Sequence, residues 1–241
     1  MTKPVLIALF IASFTLPVAA EAQFKIPKVL SKAASSGGVS ENEAGMGIKE
    51  ALTQGVTNAV LNLNKTDGFF GNAAYKMFLP EDAKKIEKTL RAAGMGAQVD
   101  KAILSINRGA EDAVAYAKPI FVEAIKEMTV TDALNLLKGG KDAATLYFKS
   151  KTTAKLTAAF TPSVQSSLEK VDATKYYTDL VTTYNKMPTT FKKVDPDLTS
   201  FVVGKTVDAL FDQVAQAEAN IRANPMGQAS DLLKKVFGSV K

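Results

Sequence analysis

Four polar residues stand where a helix would bring their side chains together. Asp100, Asn107, Glu111 and Lys118 follow one another at steps of seven, four and seven. That spacing confines them to about forty degrees of a helical wheel. They border a face of small and apolar residues that includes Ile103, Ile106, Ala110, Ala113 and Val114. Helical proteins build ligand sites from polar side chains at such borders, so these four form the candidate ligand-binding set. Glu111 is also the candidate acid of a carboxylate-dependent hydrolase, which would need a second carboxylate from another helix. The plainer reading is a solvated edge carrying a Glu111–Lys118 or Arg108–Asp112 pair, worth a few tenths of a kcal/mol.

Other spacings that could do chemistry are fragments. Ser167 and Lys170 have the S-x-x-K spacing of Ser/Lys acyl-enzymes, but the S-D-N and K-T-G elements that accompany it are absent. Gly45-Met46-Gly47 and Gly94-Met95-Gly96 lack the strand and third glycine of a dinucleotide loop. Gly139-Gly140-Lys141 precedes a helix start, where free backbone N–H groups could hold an anion, yet no Walker pattern surrounds it. A helix stop followed by a helix start accounts for it. Asp195, Asp197 and Thr199 resemble the opening of a calcium loop, with Ser200 in place of its glycine and Thr206 in place of its closing glutamate.

Composition closes further routes. The chain has no histidine, cysteine or tryptophan. Imidazole and thiolate ligands and His- or Cys-based nucleophiles are therefore excluded. A metal would have to be a hard cation on oxygen ligands, and neither a metal nor a cofactor is expected. The net charge of +6 suggests mild attraction to anionic surfaces. The lysines are dispersed among acids without a nucleic-acid motif, so no nucleic-acid partner is expected.

These residues must be positioned by helices. Apolar residues recur at helical spacing along nearly the whole chain, and period-two alternation is missing, Phe201-Val202-Val203 being the one strand-like triplet. The fold class is all-α: a single domain over residues 40–241 with about nine or ten helices. Ser40-Glu41-Asn42-Glu43 is a capping box opening the first, and Thr66-Asp67-Gly68 stops it. Pro80 and Pro119 open later helices, and Thr129 to Asp132 is a second capping signature. Short helices are expected at Ala143 to Phe148 and around Leu156 and Phe160, with a new start at Thr161-Pro162. Val203, Val207, Leu210, Val214, Ala217 and Ile221 form a heptad seam. It reads as a long helix packed on its own domain or, alternatively, as a homodimer contact. Ser230 caps a last amphipathic piece, Asp231 to Phe237.

The N-terminus has the parts of a secretory signal: Lys3, an apolar run from Val5 to Leu16, then small residues allowing cleavage after Ala20 or Ala22. The run is shorter than the ~20 apolar residues of a spanning helix. Residues 1–22 are thus expected as a signal peptide and 23–39 as a flexible Lys/Ser/Gly tether. A periplasmic or secreted location follows, with no transmembrane anchor after cleavage.

Several segments recur together in one family: Lys65-Thr66-Asp67-Gly68-Phe69, Leu79-Pro80-Glu81, Asn107-Arg108 with Glu111, Ala117-Lys118-Pro119-Ile120-Phe121, and the closing Leu232-Leu233-Lys234-Lys235-Val236-Phe237-Gly238. With Ala143-Ala144-Thr145, Tyr147-Phe148 and Lys175-Tyr176-Tyr177, they make the chain resemble a family of secreted bacterial proteins catalogued only as a domain of unknown function. Gly109 and Gln228 depart from the alanine and the basic residue usual there. The resemblance implies a single exported helical domain and brings no activity. The expectation is a non-catalytic envelope protein that binds an envelope component or an apolar ligand.

Overall fold

In the computed structural model, residues 40–170, 172–186, 188 and 193–224 are described. The chain divides into Met1–Gly37 and Gly38–Lys241, and the described residues lie in the second unit. The expected signal peptide, tether and Asp231–Phe237 helix fall outside them. The described residues are helical without a strand, in eight α-helices and one 3-10 turn: α1 Glu41–Asn64, the turn Glu81–Ala83, α2 Lys84–Ala92, α3 Gly96–Val114, α4 Ala117–Glu127, α5 Val130–Lys138, α6 Ala143–Glu169, α7 Ala173–Lys186 and α8 Leu198–Ala223.

That is fewer helices than the nine or ten expected, and α6 accounts for much of the difference. The three helices expected between Ala143 and Leu168 are one, running through Pro162. Proline removes one backbone donor from a helix without forcing a new start when packing holds both sides. Here Phe148, Thr152, Leu156, Phe160, Val164 and Leu168 keep one continuous buried stripe across it. Phe201-Val202-Val203 is helical too, in the first turns of α8.

Capping fixes several ends. Ser40 Oγ accepts from Glu43 N–H at 3.3 Å while Glu43 Oε2 accepts from Ser40 N–H at 3.0 Å. Thr129 and Asp132 repeat this reciprocal box at α5. Such caps contribute about 1 kcal/mol each. At the end of α1, Asp67 takes φ 64°, and a Cβ on Gly68 would lie 2.3 Å from the Leu63 carbonyl oxygen. Only glycine fits there, and the chain turns sharply into a loop of residues 65–80.

The core runs between α1, α3, α4, α6 and α8. Phe121 packs edge-on against Phe148 and Phe211, at centroid distances of 5.2 and 6.1 Å. Each such buried ring contributes about 1.5–3 kcal/mol relative to exposure. The small-residue face of α3 lets α6 come close: a Cβ on Gly109 would meet Ser167 Cβ at 2.9 Å and Val164 Cα at 3.5 Å. An alanine at position 109 would therefore require Ser167 or the α6 backbone to give way. The heptad seam is occupied within the chain, since Val203, Val207, Leu210 and Val214 belong to the core and Ala217 and Ile221 face Gly55 of α1.

Candidate functional site

The polar stripe of α3 is real for two of its four members, and they face inward. Glu111 is 3% exposed and Asn107 0%. Glu111 Oε1 accepts from the backbone N–H groups of Phe69 and Phe70 at 3.0 and 3.1 Å, and its Oε2 pairs with Arg108 at 2.5 Å. One turn away, Asn107 Oδ1 accepts from Met77 N–H at 2.9 Å. Its amide donates to the Met77 and Ile103 carbonyls at 2.8 and 2.7 Å. Arg108 reaches across to Asp67 at 2.8 Å, and Asn64 donates to the Glu111 carbonyl at 2.9 Å. Together these groups fasten both ends of the 65–80 loop onto α3. Loop N–H groups that would otherwise be buried unpaired are satisfied by them.

The expected partners separate. α3 ends at Val114 and Lys118 belongs to α4, where it is exposed. Asp100 is exposed and pairs with Arg91 at 2.8 Å. The expected Glu111–Lys118 and Arg108–Asp112 pairs are replaced by the pairing of Arg108 with Glu111 and Asp67. The hydrogen bond with Glu111 raises the Arg108 pKa above its ordinary value, burial opposes that rise, and the contact with Asp67 adds to it. Both Glu111 oxygens are committed to protein donors, so the geometry gives it the role of an anchor.

A second buried carboxylate escaped the sequence reading. Glu218 of α8, 7% exposed, accepts from Ala144 N–H and Thr145 N–H at 3.0 and 2.9 Å, and from the Thr145 hydroxyl at 2.8 Å. Arg222 completes the corner, donating to Glu218 at 2.8 Å and to the Leu136 carbonyl at 2.9 Å. The carboxylate thus sits at the N-terminus of α6 and the guanidinium at the C-terminus of α5, as the helix dipoles favour. The anion beside Gly139-Gly140-Lys141 is the protein's own side chain.

The remaining fragments are structural as well. Ser167 is buried against Gly109, and Lys170 is exposed at the end of α6. Asp197 caps α8 by accepting from Ser200 N–H at 2.9 Å, and Asp195 accepts from Asp197 N–H at 2.9 Å. The Ser200 contact holds the Asp197 carboxyl below its usual pKa. Among the described residues no group of three or more acidic side chains could hold a metal ion.

Several clefts open to solvent around the 65–80 loop, and one of about 470 Å³ is lined by Lys76, Glu81, Lys205, Asp208 and Asp212 among others. Tyr75 docks on α8, donating to Asp212 at 2.6 Å and accepting from Gln213 and Gln216 at 2.8 Å each. Burial, then Asp212, raises the Tyr75 pKa and keeps the phenol a donor. Gln213 also accepts from Asn62 of α1 at 3.1 Å. This network closes one end of a cleft of about 480 Å³ over the α1–α8 seam. Its walls carry Gln54, Asn58 and Asn62 from α1 and Gln213, Gln216 and Asn220 from α8, and its lining contains no ionisable group. Helical spacing carries a signal for it, because each trio falls at steps of three or four. An apolar cleft between α1, α5 and α8 is the contrasting case. It is lined by Ile48, Leu52, Leu137, Val214 and Ile221 among others, and holds about 50 Å³. That is room for a few waters and not for a lipid chain.

Residues 38–238 match the family described as protein of unknown function (DUF4197). No curated protein and no solved structure matches the chain.

Proposed function

We propose that this chain, which belongs to the DUF4197 family, is a non-catalytic binding protein of the cell envelope. One observation carries the reading. The deeply buried carboxylates, Glu111 and Glu218, are consumed in holding a loop and a helix end, while the cleft over the α1–α8 seam is lined with neutral carboxamides. A general acid or nucleophile needs access to a substrate and an appropriate pKa. The lining of the cleft supplies hydrogen-bond donors and acceptors without an ionisable group, and Tyr75 and Asp212 at its end are hydrogen-bonded to each other and to Gln216, which suits recognition.

The location is part of the proposal. Lys3, the apolar Val5–Leu16 run and the small residues to Ala22 support export and cleavage after Ala20 or Ala22. Among the described residues no helix is long and apolar enough to cross a membrane. An envelope component is the better-supported ligand. An apolar one would have to part α1 from α8, given the space in the apolar cleft.

Native mass spectrometry of the protein purified from its own envelope tests this. A reproducible small-molecule or oligomer adduct is expected. A bare monomer under conditions that preserve weak complexes would contradict the reading.

A further inference from the structure

Resting on that reading, we propose that the α1–α8 cleft binds a neutral, polyhydroxylated ligand: a stretch of uncharged glycan. In a chain whose residues are 22% charged, the lining of this cleft has six carboxamides and no charged side chain, the Asp212 carboxylate at its end being engaged by Tyr75 and Gln216. A carboxamide offers an acceptor oxygen and two N–H donors on one rigid plane. A sugar hydroxyl is likewise donor and acceptor at once, so neighbouring hydroxyls and one carboxamide satisfy each other in pairs. An anionic ligand would find no cation here to offset its desolvation.

Half of the set is already in place. Asn62, Gln213 and Gln216 are tied to one another and to Tyr75. This fixes their planes before a ligand arrives, which reduces the ordering cost of binding. Gln54, Asn58 and Asn220 make no side-chain hydrogen bond to another described residue and line the same space. Three carboxamides thus remain available to a ligand.

The apolar part of the lining fits the same ligand. Leu61 is 60% exposed at the cleft, and Ala217 and Ile221 contribute to its lining. Sugar rings present C–H faces between their hydroxyls, and such faces gain from apolar platforms. An extended peptide would instead use a strand edge or a row of side-chain pockets. The described residues contain no strand.

Nuclear magnetic resonance of the isotope-labelled exported protein, titrated with the hexasaccharide of N-acetylglucosamine, tests the proposal. The side-chain amide signals of Gln54, Asn58 and Asn220 should shift together, with a dissociation constant of about a millimolar or tighter. The affinity should hold when salt is raised, as expected for a neutral ligand. The double variant N58A/N220A alters two exposed residues. It should keep the wild-type melting temperature and bind roughly tenfold more weakly. Unmoved amide signals at saturating hexasaccharide would overturn the proposal. So would equal binding by the variant, or the same amides responding to a neutral alanine–serine hexapeptide and not to the glycan. An adduct seen by native mass spectrometry that carries no sugar would leave the binding reading standing and remove the glycan.

Discussion

Replacing Glu111 with glutamine separates an anchor from a catalytic acid. The carboxylate holds two backbone N–H groups on Oε1 and Arg108 on Oε2. Hydrogen bonds to a charged acceptor contribute about 1.5–3 kcal/mol and those to a neutral one about 0.5–1.5 kcal/mol. The amide oxygen can still serve Phe69 and Phe70, so each of those two bonds weakens by about 1 kcal/mol. The amide nitrogen then faces Arg108, which is half-exposed and recovers water. The lost pair adds about 1 kcal/mol. Glu111→Gln should therefore cost about 3 kcal/mol, and for a domain of this length the melting temperature should fall by about 6–12 °C. Urea unfolding followed by circular dichroism gives the first number. Hydrogen exchange at the Phe69 and Phe70 amides, expected to accelerate more than at the α6 core, locates the damage. A variant melting within about 2 °C of wild type, with both amides as protected as before, would refute the anchor.

The other expectations concern the same frame. Glu218→Ala leaves the Ala144 and Thr145 N–H groups and Arg222 without their acceptor. It should cost about 2–4 kcal/mol in chemical denaturation, and Glu218→Gln clearly less. Gly109→Ala gains helix propensity of about 0.5–1 kcal/mol but drives a methyl to 2.9 Å from Ser167 Cβ, so a net loss of about 1 kcal/mol is expected. In a double-mutant cycle with Ser167→Gly, the combined loss should be smaller than the sum of the single ones. Asp197→Ala should cost about 1 kcal/mol at neutral pH. The folded-state pKa of Asp197 is depressed, so its contribution is present above the ordinary value of 3.8 and fades as pH falls through the lower folded value. The wild-type and Asp197→Ala stability curves should therefore converge in acid.

Much of the fold was legible from local chemistry. Both capping boxes act through side-chain-to-backbone bonds within four residues, so Ser40–Glu43 and Thr129–Asp132 could be read directly. Pro162 misled because a proline states only what its own nitrogen cannot do. Whether the helix survives depends on the stripe packed either side of it. The polar stripe was legible as geometry and not as role. Periodicity put Asn107 and Glu111 on one face of α3, but not the backbone of the 65–80 loop, which lies 30 to 42 residues away in sequence for the bonds they make. Lys118 dropped out because α3 stops at Val114. The carboxamide cleft was spelled in the two trios of Asn and Gln, yet each alone is an ordinary solvated face. Only the pairing of α1 with α8, 151 residues apart at Asn62 and Gln213, makes them one surface.

The claim that this surface is where the protein binds is tested most directly on its own side-chain amides. An extract of the native envelope, added to the isotope-labelled protein, should perturb the Gln54, Asn58 and Asn220 amide signals before any others, and N58A/N220A should abolish the response. Signals that stay fixed at the cleft while another face of the protein responds would contradict the account.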